Sequence, residues 1–151
     1  MSQSDHYRGR CFCGAVEFSL HGGPEIMAYC HCDSCRKWSA GPVNALTLWQ
    51  PERFKVTKGA ENLGEYDKTA AKEKQAGFSN RKWCKVCGGH VYIDHPPAGL
   101  VDIPAVLIDD FNFQPAFHVH YQESVHQMQD GLPKFKDLPE PAGGSGEEMS
   151  E

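Results

Sequence analysis

The sequence has no run approaching the ~18 consecutive apolar residues of a membrane-spanning helix, and no stripe of Lys and Arg. Its longest basic clusters are the pairs Arg36-Lys37 and Arg81-Lys82, in a chain of 15 basic and 20 acidic residues with net charge -5. Proteins hold nucleic acid by releasing counterions to clustered cations, so neither nucleic acid nor a membrane is expected as a partner. The opening residues "MSQSDHYRGR" lack the apolar stretch of a secretory signal. A cytoplasmic location is the expectation, and there thiols stay reduced. Seven cysteines are an odd number, which a fully paired disulfide framework cannot use.

Long helical periodicities are also missing. Fifteen glycines and ten prolines cut the 151 residues into short runs. Several of those runs alternate as half-buried strands do: "GAVEFSL" (14–20), "VNALTLW" (43–49), "RFKV" (53–56), "QAGFS" (75–79), "HVYID" (90–94), "AVLID" (105–109) and "AFHVHYQ" (116–122). Only "CDSCRKWSA" (32–40) and "KTAAKEKQ" (68–75) read as helical. A Pro/Gly/Ser-rich acidic stretch follows, 139–151, which composition marks as disordered. The reading is one mainly-β domain over 5–138, with one or two short helices, and a solvated tail.

What the chain does have is grouped sulfur. All seven cysteines fall into Cys11-x-Cys13, Cys30-x-Cys32-x2-Cys35 and Cys84-x2-Cys87. Zinc prefers four tetrahedral ligands, and these spacings let neighbouring thiolates reach one ion. A C-x-C on extended chain points both thiols the same way, and Gly88-Gly89 after Cys87 permits a tight turn. The economical division joins Cys11, Cys13, Cys84 and Cys87 in a closed, structural site. Cys30, Cys32 and Cys35 then form a second site that is one ligand short, as catalytic zinc sites are. Other divisions remain open, and His31 or His90 is available as a fourth ligand. A redox dithiol would call for a βαβ setting that the pattern lacks, and inert buried cysteines are scattered rather than grouped.

The stretches "GRCFCGAVEFSL", "YCHCDSCRKWSAG", "KWCKVCGGHVY" and "FHVHYQESVHQMQDGLPKF" resemble the glutathione-dependent formaldehyde-activating enzyme family, whose domain is shared with centromere protein V. The resemblance implies a β-tent fold of twisted antiparallel sheets around zinc. It implies two zinc ions, with Cys11, Cys13, Cys84 and Cys87 as structural ligands and Cys30, Cys32 and Cys35 as active-site ligands. It leaves the occupancy of the second ion open. The implied activity is that of a carbon–sulfur lyase joining glutathione, as substrate, to formaldehyde as S-hydroxymethylglutathione. The same scaffold acting on another thiol adduct, or serving as a non-catalytic binding module, is the alternative.

Glutathione carries carboxylates, so Arg36 and Lys37 beside the central site are candidate substrate anchors, against the plainer reading of solvated surface charge. His118 and His120 alternate on an expected strand and read as surface or satisfied core rather than as ligands. His90 stands beside the C-x2-C turn, where it can orient a thiolate. Trp38, Trp49 and Trp83 read as core or wall residues.

Overall fold

The computed structural model describes residues 5–67 and 79–151. The strands are β1 (His6–Arg10), β2 (Glu17–His21), β3 (Ile26–Cys30), β4 (Asn44–Trp49), β5 (Phe54–Lys58), β6 (Leu63–Asp67), β7 (Asn80–Cys84), β8 (His90–His95), β9 (Leu100–Pro104) and β10 (Phe117–Val119). One helix, α1 (Asp33–Ser39), and several 3-10 turns complete the described chain, which is therefore mainly β. The expected strand 75–79 and helix 68–75 fall on or against the stretch outside the described residues, and Ser79 itself is not in a strand. Among the described residues no helix is long and apolar enough to cross a membrane.

Two compact units form, one from Met1–Glu25 with Thr47–Asn112, the other from Ile26–Leu46 with Phe113–Glu151. In the first, β1 pairs antiparallel with β2, and β2 with β5. Successive strands β6, β7, β8 and β9 form an antiparallel ladder. Alternation in β2 explains its burial, since Phe18 and Leu20 turn inward while Glu17 and Ser19 do not. These side chains join Val16, Trp49, Val91, Val101, Ile103 and Ile108 in an apolar core that also contains Cys11 and Cys84. The Trp49 indole donates to Thr47 Oγ1 at 2.8 Å, and that hydroxyl donates to the Ile103 carbonyl, so this polar thread through the core is satisfied.

One buried carboxyl interrupts the core strand β9. Asp102 stands between core residues Val101 and Ile103 and so projects from the opposite face. Burial pushes its acid up to about 7, against the opposing pull of the Thr47 amide and the Arg81 guanidinium. Arg81 is aligned with Asp102 across Ile93 of β8.

In the second unit β3 and β10 pair in parallel, Phe117 opposite Ala28 and Val119 opposite Cys30. The sheets are thus mixed rather than antiparallel throughout. The expected strand 116–122 ends at Val119 because His120 turns left-handed at φ 53°, starting a 3-10 turn over Tyr121–Glu123. The expected strand 105–109 is a 3-10 turn, Ala105–Leu107, entered through Pro104. Pro104 has no N–H to extend the ladder of β9. The stretch 139–151, disordered by composition, carries a 3-10 turn at Glu140–Ala142. Its backbone bonds include Lys136 N–H to the Glu147 carbonyl and Met149 N–H to the Lys134 carbonyl.

Phe18→Ala should cost about 3–5 kcal/mol in denaturant unfolding, whereas Phe12→Ala, at a side chain 91% exposed, should change stability by less than about 0.5 kcal/mol. A raised carboxyl pKa means that the folded state holds the extra proton between the ordinary value near 4 and about 7. Its contribution to stability is therefore present at low pH and falls as pH rises through that window. Stability measured for Asp102→Asn minus wild type should rise across pH 4 to 7 by up to about 1.4 kcal/mol per unit. A flat difference would remove the buried acid.

Candidate metal centres

All seven cysteines lie among the described residues, and none is in a disulfide. They gather as the spacing divides them. The sulfurs of Cys11, Cys13, Cys84 and Cys87 lie within 4.8 Å of one another, and so do those of Cys30, Cys32 and Cys35.

The first group is built by two facing turns. Cys11 N–H bonds to the Val16 carbonyl and Gly14 N–H to the Cys11 carbonyl, closing the C-x-C turn. Cys84 N–H bonds to the Gly89 carbonyl and Gly88 N–H to the Cys84 carbonyl, closing the C-x2-C turn between β7 and β8. Each turn needs a left-handed residue directly after its second cysteine, and each has glycine there: Gly14 at φ 82° and Gly88 at φ 77°. Backbone amides are aimed at sulfur, Val16 at Cys11, Ala15 at Cys13 and Gly89 at Cys87, over 3.3–3.4 Å.

Distances test the fit to an ion. A tetrahedron with Zn–S bonds of ~2.3 Å has edges of about 3.8 Å, and Cys13 Sγ lies 3.8 Å from both Cys11 Sγ and Cys84 Sγ. Charge tells the same story. For Cys87 burial pushes the thiol up, but the Gly89 and Cys13 amides and the neighbouring thiols outweigh that and hold it at about 6. For Cys13 the Ala15 amide pulls down, while burial and the other three sulfurs push it up to about 11. Four sulfurs this close repel one another once ionised, and the donor set suits a soft divalent metal that would offset that charge.

The central group stands where β3 ends and α1 begins. Cys30 is the last residue of β3, and Cys32 is the N-cap of α1, its sulfur accepting the Cys35 N–H at 3.3 Å. Hydrogen bonds from the Cys30 and Cys35 thiols hold Cys32 far below the ordinary thiol range. The same contacts with Cys32 and Cys35, together with burial, push Cys30 well up. Neither His31 nor His90 belongs to either sulfur group. Burial, aided by the nearby His118 and Arg36, pushes His31 down to about 4, a neutral imidazole.

Both proposed anchors lean on Asp33. Arg36 reaches it at 3.6 Å and donates through Nε to the His31 carbonyl at 2.9 Å, while Lys37 pairs with it at 3.2 Å. His118 and His120 do not act together. His118 is fully buried, whereas His120 faces Glu123 at 3.5 Å. Trp49 is core, as expected. Sequence reasoning passed over Asp130 and Lys134, which pair at 2.7 Å with Lys134 fully buried. The fourfold spacing of "DGLPK" was the available signal.

Residues 6–123 match the family described as glutathione-dependent formaldehyde-activating enzyme. A protein of Schizosaccharomyces pombe called an uncharacterized lyase is 29% identical over 57% of this chain and 56% of its own length. The chain thus spans little more than half of that relative. Putative glutathione-dependent formaldehyde-activating enzymes of Aspergillus flavus and Halomonas elongata are each 28% identical. The first match covers 85% of this chain and 70% of that protein, and the second 86% and 79%. A crystal structure of a Rhodobacter sphaeroides protein superposes with TM-score 0.51 and 25% identity, over 70% of this chain and 90% of that one.

Metal content should follow the two groups separately. Elemental analysis of zinc-loaded protein should give two ions per chain, falling to one, with fold retained, in Cys32→Ser. Cys84→Ser should impair folding, because structural zinc contributes on the order of 10 kcal/mol. A folded Cys84→Ser protein with unchanged melting would separate Cys84 from the other three sulfurs.

Proposed function

The chain belongs to the glutathione-dependent formaldehyde-activating enzyme family, and on that premise we propose a zinc-dependent carbon–sulfur lyase that joins glutathione, or a similar thiol, to formaldehyde. The observation that carries the reading is the central triad, Cys30, Cys32 and Cys35, gathered at ligand distance and one donor short of a tetrahedron. The proposal takes 5–138 as the functional domain, of β-tent kind, with Cys11, Cys13, Cys84 and Cys87 holding a structural ion.

Zinc bound at the triad would supply an open coordination position and let a thiol deprotonate near neutral pH. The chain's own residues do the rest. Cys30, Cys32 and Cys35 would hold the ion from a buried strand end and a helix start. Three thiolates leave a net negative centre, a weak polariser of carbonyls, so the residues favour delivery of a nucleophile. The reaction is an addition: the sulfur of the thiol bonds to the aldehyde carbon, and the thiol proton ends on the aldehyde oxygen. Bringing both reactants together lowers the entropic barrier.

A second substrate reading has one observation behind it. Arg36, offered as an anchor for a glutathione carboxylate, is already engaged by the His31 carbonyl and Asp33. A smaller thiol without that carboxylate fits this engagement equally well.

Zinc-loaded protein, glutathione and 13C-formaldehyde should exchange free and adduct signals in NMR faster than buffer does. Exchange no faster than in buffer would reject formaldehyde as the electrophile. Turnover with another thiol under the same conditions would select the second reading.

A further inference from the structure

The chain has two C-x-C pairs whose middle residues are treated in opposite ways. Phe12, between Cys11 and Cys13, is 91% exposed, whereas His31, between Cys30 and Cys32, is 0% exposed. Nearly every polar atom of His31 is tied down. Its N–H donates to the Val119 carbonyl at 3.1 Å, and its own carbonyl accepts from Arg36 Nε. Its Nε2 lies 2.8 Å from His118 Nδ1, and its ring meets Tyr121 edge-on with centroids 4.8 Å apart. His118, also 0% exposed, stacks on Tyr29 and sets its Nε2 2.7 Å from Asp130 Oδ2. The other Asp130 oxygen accepts from Lys134 Nζ at 2.7 Å and from the Leu132 N–H at 3.1 Å.

Chemistry gives this line of contacts a direction. A carboxylate only accepts, so His118 Nε2 carries a proton and donates it to Asp130. An imidazole that carries its proton on Nε2 accepts at Nδ1, and His31 Nε2 is the donor that meets it there. That assignment leaves His31 Nδ1 as a bare lone pair. His31 Nδ1 is indeed buried without a hydrogen-bond partner among the described residues, and an unmet acceptor is less unusual inside proteins than an unmet N–H. Asp130 stays charged: burial raises its acid, but the hydrogen bonds from Lys134 and His118 outweigh that and hold it well below the carboxylate range.

We propose that Asp130, His118 and His31 form a positioning relay for the central metal site. Asp130 sets the tautomer of His118, His118 pins the ring of His31, and the pinned His31 holds Cys30 and Cys32 at ligand spacing before an ion arrives. Thiols already gathered lose less conformational freedom on binding, so the relay raises affinity without contributing a ligand. The outer pair has no such device, since Phe12 projects into solvent and the cage is closed instead by two glycine turns. The relay rests on the triad taking a metal ion, and is indifferent to which thiol adduct is made there.

Asp130→Asn tests it, because an amide can donate to His118 Nε2 and invert both tautomers. Chelator competition on the zinc-loaded full chain reads both sites in one sample. The central affinity should fall about 10- to 100-fold while the outer cage stays within about twofold. Asp137→Ala is the control. It removes the acceptor of the Ser145 amide and hydroxyl in the same unit, and should lower the melting temperature without moving central affinity. An unchanged central affinity in Asp130→Asn, or equal weakening of both sites, overturns the relay while leaving the metal reading intact. Wild-type protein that binds one ion only, at the outer cage, sinks the metal reading and the relay with it. Long-range 15N–1H spectra of wild type do not depend on the variant folding. They should place a proton on Nε2 of both His31 and His118, and a proton on His31 Nδ1 overturns the relay.

Discussion

Sulfur crowding is the constraint on which the rest of the structure depends. Four thiols with neighbouring sulfurs 3.8 Å apart cannot all ionise against one another in the absence of positive charge, since like charges at that range repel strongly. Each thiolate that forms raises the cost of forming the next. A divalent cation would resolve the repulsion by letting every sulfur deprotonate at once, and the amides of Ala15, Val16 and Gly89 are already aimed at the sulfurs. Two turns more than seventy residues apart in the chain would thereby become one fixed point. Cys11 and Cys84 also belong to the apolar core, so the cage and the core of the first unit are continuous, and loss of one loosens the other.

The central triad follows the same electrostatics with a different support. Its ligands come from the end of β3 and the first turn of α1, a helix of only seven residues. A helix that short is marginal alone, and this one is held by Arg36 Nε on the His31 carbonyl and by Glu123 on the Asp33 amide. The outer cage spends four cysteines on closure. The triad gathers three, and on the proposed reading a fourth position would be left for substrate. That contrast between a saturated and an incomplete sphere separates a fold-holding ion from a working one.

The cysteine grouping was legible because metal geometry imposes spacings that survive any fold. Strands β2, β4 and β8 were legible because one face of each is buried, which forces alternation. Strand β1, "HYRGR", was not, since it has one buried residue in five and no apolar period to read. Nor was β9, where Asp102 occupies a buried place that pattern reading assigns to solvent. The run "AVLID" reads as a strand by composition, but Pro104 ends the ladder before it. The parallel pairing of β10 with β3 is a long-range choice, and no local pattern encodes it. In the site, the buried Lys134 and its partner Asp130 read locally as an exposed polar turn, because burial depends on what packs over them.

The two units also differ in what fills them. The contiguous apolar cluster among the described residues lies wholly in the first. Buried in the second are Ala28, Cys30 and Val119 beside His31, His118, Tyr121 and Lys134. A polar interior of this kind gains little from burial alone, because each group must first give up its water. It holds together when every partner is met, and then it permits few alternative packings, since any slip leaves a buried charge or donor unmet. Here the partners are met in sequence from Glu151 and Asp130 through Lys134 and His118 to His31, where the Nδ1 lone pair is left unmet among the described residues. The unit that carries the central cysteine triad is thus ordered more by directional bonds than by a contiguous apolar cluster. Directional bonds fix both distance and angle, and a triad that is to hold an ion, as proposed above, needs both.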